Sequence, residues 1–171
     1  MLQLVVIVML TLYNPLSLAG QQSAEAPRVL KRVATLTAGV GNAMGWLGLQ
    51  AERYFGRERL SAFLGAGYTP SLDPGDPSGP TVAAGVRGFT AGFKHRGFLA
   101  LSVSQIFVET ALNEDPHRLY GPGLEIGYQF ASQGGFTFMA SVGLGYAPAA
   151  PEEASEVGEL LGIGLGYTWR R

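Results

Sequence analysis

The chain has 171 residues, a formal net charge of −1 and 15% charged residues, enough length for one domain with a sizeable core. That charge balance leaves no electrostatic footprint for nucleic acid, and the absence of cysteine excludes a disulfide framework and a thiolate metal site. The 25 glycines are spread through apolar runs rather than gathered in linkers.

Residues 2–12, LQLVVIVMLTL, are almost wholly apolar. The run falls short of the roughly 20 residues of a spanning helix. Ser17 and Ala19 then supply the small residues of a signal-peptidase site after Ala19, so residues 1–19 read as a cleaved signal peptide. Met1-Leu2-Gln3 departs from that pattern in carrying no Lys or Arg. The alternatives are a buried N-terminal strand and an uncleaved anchor. No lipoprotein cysteine follows the run. Residues 20–29, polar with Pro27, read as a periplasmic tail, and 30–171 as a single barrel. Past residue 20 no helix-length apolar stretch remains, so membrane residence has to come from strands.

Eight strands follow, each read from a side-chain period of two. The first, Val33–Val40, turns Ala34, Leu36, Ala38 and Val40 outward and Val33, Thr35, Thr37 and Gly39 inward, with a short turn around Gly41-Asn42. In the second, Gly45–Phe55, Leu47, Leu49, Ala51 and Phe55 share one face, and Trp46, Gly48, Gln50, Glu52 and Tyr54 the other. Arg53 falls on the apolar face near the strand end, where its stem reaches the headgroups. The third, Arg59–Thr69, puts Ser61, Phe63, Gly65 and Gly67 inward. Residues 70–80, with four prolines, form a solvated loop. The fourth runs from Thr81 to about Gly92 with Arg87 opposite Val82, Ala84 and Val86, and Lys94-His95-Arg96 reads as a basic turn. The fifth, Gly97–Glu109, loses phase near Gln105–Val108, which predicts a bulge.

After the polar loop 110–118, the sixth strand, Leu119–Ala131, sets Tyr120, Leu124, Ile126, Tyr128 and Phe130 against Gly121, Gly123, Glu125, Gly127 and Gln129. The seventh, Gly135–Ala147, turns Phe136, Phe138, Val142, Leu144 and Tyr146 outward. The eighth, Val157–Trp169, is the clearest. Val157, Leu161, Ile163, Leu165, Tyr167 and Trp169 fall on one side with Glu159, while Gly158, Leu160, Gly162, Gly164, Gly166 and Thr168 fall on the other.

Connections after strands two, four and six are short, and those after three, five and seven are long and polar. Transmembrane barrels alternate in this way between periplasmic turns and extracellular loops. Aromatic residues gather near both strand ends, with Tyr54, Phe55, Phe130, Phe136, Phe138, Tyr167 and Trp169 at the short-turn end and Tyr68, Tyr120 and Tyr146 at the other. Two such clusters around an aliphatic middle match interfacial girdles. The expected fold class is all-β, an eight-stranded antiparallel up-and-down transmembrane β-barrel. A soluble lipocalin-like ligand-binding barrel would need the bulky residues inside and the glycine-rich face in water.

From about residue 30 to 169 this pattern resembles the small eight-stranded outer-membrane barrels of the OmpA and OmpX type. The resemblance lies in architecture rather than in a diagnostic motif. It implies a location in the outer membrane of the bacterial cell envelope. It also implies contact with outer-membrane lipids and lipopolysaccharide, a monomeric state and no cofactor. Gly164, Tyr167 and Trp169 match the C-terminal signal that such barrels present to the barrel-assembly machinery, although Arg170 and Arg171 follow where the family ends on the aromatic.

Arg87 and Glu125 stand six residues from the long-loop end of their strands, both on the inward face, and so share a depth; Glu52 and Gln129 lie lower. Buried charges in a narrow lumen must be paired, so these residues read as a structural polar core, or else as a narrow ion path or small-ligand site. The enzymatic alternative is a lipid-modifying barrel such as the lipid A deacylases, which carry a His-x-Ser pair. His95 is followed by Arg96-Gly97 and His117 by Arg118-Leu119, so neither fits and the chain is read as no enzyme. Asp73, Asp76, Glu114, Asp115, Glu152, Glu153 and Glu156 make the long loops acidic, with no calcium-loop spacing and no expected metal. The expected role is structural or adhesin-like, with a porin-like narrow pore as the alternative.

Overall fold

The structure, a computed structural model, describes residues 31–70, 78–106, 119–148 and 156–171. The signal-peptide and tail assignments, the bulge region beyond Ile106 and most of the long loops lie outside the described residues, as does the side chain of Trp46. Eight strands form a closed barrel: β1 (Arg32–Gly41), β2 (Gly45–Phe55), β3 (Leu60–Thr69), β4 (Gly79–Phe89), β5 (His95–Ile106), β6 (Leu119–Ala131), β7 (Phe136–Tyr146) and β8 (Val157–Arg170). Each pairs antiparallel with its neighbours in sequence, and β8 closes on β1 from Arg32↔Arg170 to Gly41↔Gly162. Closure pairs every strand on both sides, although the β4–β5 ladder covers only part of the two strands, from Phe89↔Phe98 to Ala84↔Val103.

The alternation seen in the sequence becomes the two surfaces of the wall. Leu47, Leu64, Leu101, Ile126, Leu144 and Ile163 are all exposed on the outside, whereas Thr35, Thr37, Gln50, Glu52, Ser61, Arg87, Glu125 and Gln129 are buried within. At one end of the outer wall Phe55, Phe136, Tyr167 and Trp169 are exposed, and at the other Tyr68, Tyr120 and Tyr146. Tyr54 leaves the first of these groups, because it is buried in the lumen.

Inside, large side chains stand opposite bare glycines. A Cβ on Gly127 would lie 2.1 Å from the Phe98 ring, and one on Gly85 2.6 Å from the Phe63 ring. A barrel of this width has just enough room for its inward side chains, so the glycines on one strand make space for the rings of another.

Several strand boundaries differ from the sequence reading, among them the start of β4, which begins at Gly79 inside the segment expected as the loop 70–80, and three differences bear on the lumen. A register shift between Arg32 and Ala34 gives the inward position expected for Val33 to Arg32, which is buried. The Lys94-His95-Arg96 turn is not a turn beyond Lys94. β4 ends at Phe89, β5 starts at His95, and Arg96 points inward with 3% of its surface exposed. The phase blur near Gln105 has a different cause from a bulge in its described part. β5 stays in register with β6 out to Ile106↔Leu119, but its ladder with β4 stops at Ala84↔Val103. Beyond that point Gln105 is drawn in, and its side chain accepts from Thr81 Oγ1 at 2.9 Å.

Candidate functional site

The lumen near the short-turn end holds a hydrogen-bonded charge cluster. Gln129 on β6 is its centre. Its Oε1 accepts from Arg32 Nη1 at 2.8 Å and from Arg96 Nη2 at 2.9 Å, and its Nε2 donates to the Tyr54 hydroxyl at 2.9 Å. Tyr54 in turn donates to Glu52 Oε2 at 3.0 Å. Glu52 also accepts from Ser61 Oγ at 2.5 Å. Strands β1, β2, β3, β5 and β6 all contribute, so the network ties most of the barrel's circumference together. Burial of these polar groups is offset by the bonds they make to one another, while Arg96 Nε is buried without a hydrogen-bond partner.

Glu58 closes this end from outside. It lies in the β2–β3 turn, where Arg57 and Glu58 both have left-handed backbone, φ 61° and 67°. With Gly56 at φ 51° before them, three successive residues are left-handed, at a steric cost to the two that carry a Cβ. Contacts hold the turn in place. Glu58 Oε1 accepts from the Arg32 backbone N at 2.7 Å, and its carbonyl accepts from Arg96 Nη1 at 2.7 Å.

Higher up, Arg87 lies between two rings, its guanidinium 4.1 Å from the Phe63 centroid and 4.9 Å from that of Phe98. It pairs with Glu52 (Nη1–Oε1 3.3 Å) and donates to Gln50 Oε1 at 3.0 Å. The Arg87–Glu125 contact expected from the sequence is not made. The shared depth is present, since Arg87 pairs with Ala100 and Ala100 with Glu125 along one rung. Arg87, however, extends toward β2, where a carboxylate and an aromatic cradle both receive it. Glu125 accepts instead from Ser102 Oγ at 3.3 Å and Ser141 Oγ at 2.8 Å, and among the described residues it forms no ion pair.

The opposite end is closed by the chain itself. The connection Asn42-Ala43-Met44 between β1 and β2 turns into the barrel, and Met44 is 1% exposed. Glycines make this possible. A Cβ on Gly65 would stand 1.7 Å from the Ala43 carbonyl oxygen, and one on Gly67 1.8 Å from that of Met44. Gly45, at φ 69°, reverses the chain out of the lumen. Asn42 fastens the segment across the barrel, donating from Nδ2 to the Gln105 carbonyl at 2.9 Å and accepting at Oδ1 from Leu161 N at 2.8 Å. The sequence reading missed this inward fold. Its signal was the bare inward run Gly48, Gly65 and Gly67 on two adjacent strands.

Of the residues matched to the assembly signal, Gly164 lies inside β8 with Met44 and Thr37 nearest to it, while Tyr167 and Trp169 face outward with their rings 5.2 Å apart. His95 is exposed and contacts the Tyr128 hydroxyl outside the lumen, and His117 lies outside the described residues. Chemically, each buried carboxylate of the lumen receives hydroxyl donors, and Arg87 adds an ion pair at Glu52. Comparison with known protein families, curated proteins and solved structures finds no match for this chain.

Proposed function

We propose that this chain is an integral outer-membrane β-barrel of structural or surface-interaction role, with a lumen that serves as a packed core. One observation carries the reading: the wall is apolar outside and polar inside. Leu47, Leu64 and Ile126 are 72%, 68% and 61% exposed, while Gln50, Arg87 and Gln129 are 1%, 1% and 0% exposed. In water that arrangement would strand a continuous apolar belt. In a bilayer it is the favourable one, with the strands paired into a closed sheet. A soluble lipocalin-like barrel requires the reverse. The aromatic groups at both ends of the wall support two interfaces.

In this reading the short turns face the periplasm and the acidic long connections face outward, where divalent cations, lipopolysaccharide or a partner would meet them. Tyr167 and Trp169 stand exposed at the β8 terminus, within reach of an assembly machinery. The inward-folded Asn42–Met44 segment and the Arg87–Glu52 pair favour a barrel that does not conduct over the narrow-pore alternative.

Fractionation followed by gel electrophoresis with and without boiling tests the proposal. An outer-membrane protein whose unboiled band migrates apart from the boiled band is the expected result. A periplasmic protein with no shift would overturn it.

A further inference from the structure

The outer wall of β1 to β4 carries a shallow depression of about 740 Å³, floored by Ala34, Ala51, Ala62 and Ala84, and Arg53 stands in it. On its rung Trp169 pairs with Ala34, Ala34 with Arg53, and Arg53 with Ala62. Methyl groups on both neighbouring strands leave the guanidinium uncovered. Arg53 is exposed and makes no hydrogen bond or ion pair with any described residue.

The rest of this end has the same sign. Lys31, Arg57, Arg59, Lys94 and Arg171 are all exposed there, while Glu58 is engaged with Arg32. A second depression, about 480 Å³ on the wall of β4 to β6, includes Gly88, Gly97 and Arg59 in its lining. An arginine beside an uncovered patch of wall therefore occurs twice at this end. At the opposite end the outward-facing charge on β8 is Glu159.

We propose that the Arg53 depression binds an anionic glycerophospholipid, with the guanidinium on the phosphate and an acyl chain along the alanine floor. The inference rests on the membrane-barrel reading above and adds to it a ligand class and a leaflet, the one at the short-turn end. A cation at the margin of an apolar belt gains most from a fixed counter-charge. The planar guanidinium fork matches phosphate oxygens in pairs. Trp169 places an amphipathic ring at the same depth. The surrounding cations raise the local concentration of anionic headgroups.

The test uses Trp169 as reporter. The full chain carrying Trp46→Phe is folded into vesicles of phosphatidylcholine that contain either phosphatidylglycerol or phosphatidylcholine with brominated acyl chains. Bromine quenches a neighbouring indole. The expected result is stronger association of brominated phosphatidylglycerol, by about five-fold for one cation at the surface. Arg53→Gln lowers the preference by about that factor, to the level the surrounding cations maintain, and keeps both the phosphatidylcholine quenching and the heat-dependent gel shift. Ala62→Leu, which fills the floor, lowers quenching by both lipids. Equal quenching by the two lipids, or a preference left undiminished by Arg53→Gln, overturns the site while leaving the barrel reading intact. No quenching by either lipid and no gel shift overturns the barrel reading and the site with it.

Discussion

Arg87 reaches past its own rung to Glu52, 3.3 Å away and two strands distant, and leaves Glu125 to a pair of serines. The choice follows from the surroundings. On the β2–β3 side the guanidinium gains a carboxylate, the Gln50 amide and the Phe63 face. The lumen thus divides into a half where Arg32, Arg87 and Arg96 gather around Glu52 and Gln129 and a half where Glu125 has hydroxyl donors alone.

The pair sets the first prediction. Glu52→Gln leaves Arg87 buried without its counter-ion and costs about 3–5 kcal/mol of stability in urea unfolding from detergent. Adding Arg87→Met to that variant recovers a substantial part of the loss. Glu125→Gln, which keeps an acceptor for Ser102 and Ser141, costs about 1 kcal/mol and shows no coupling to Arg87→Met in a double-mutant cycle. Strong coupling of Arg87 to Glu125 would reverse the assignment.

Gly127 tests interior packing where a glycine faces a side-chain ring. Gly127→Ala drives a methyl into the Phe98 ring, 2.1 Å from the built Cβ position, and overpacking of this kind costs about 1–3 kcal/mol. Phe98→Leu on the same background restores the part due to the ring, while the contact with the Ala140 carbonyl oxygen, 2.6 Å from the same position, remains. The check is unfolding of both variants against Phe98→Leu alone.

The β2–β3 turn separates two causes of stability. Arg57→Gly relieves a left-handed backbone and raises stability by about 0.5–1 kcal/mol. Glu58→Gly relieves the same kind of strain but removes the carboxylate that receives the Arg32 backbone N, and lowers stability by about 1–2 kcal/mol. A rise for both variants would show that the Glu58 contacts contribute nothing.

Asn42 tests the inward-folded segment. Asn42→Ala leaves the Gln105 carbonyl and Leu161 N without their partner and costs about 1–3 kcal/mol. Amide exchange measured along β1 and β2 locates the loss, with the fastest gain expected around Ala43 and Met44.

The strands and their faces were legible because the wall has a period of two and one face is bulky. Val157–Trp169 needed no other information, and its observed alternation is the one written in it. The inward placement of Arg87 and Glu125 was legible as well, and the two share a rung, although β4 begins two residues before the Thr81 from which their depth was counted. Rung position does not fix direction across a lumen, however, and direction depends on partners contributed by β2 and β3. Arg96 was hidden because Lys94-His95-Arg96 resembles a solvated turn, and its inward role depends on Gln129 and Glu58 from distant segments. Asn42–Met44 looked like an ordinary glycine-flanked turn, and only the bare floor at Gly48, Gly65 and Gly67 would have indicated that the chain enters the barrel.

The measurement that bears most directly on the central claim uses the natural absence of cysteine. Single cysteines at outward Leu49, Val103 and Ile163 are spin-labelled and the protein is folded into vesicles. The account predicts strong collision with oxygen and weak collision with a water-soluble nickel chelate at all three sites, as for labels in hydrocarbon. Ready access of the nickel chelate to these positions in a folded, vesicle-associated protein would contradict it.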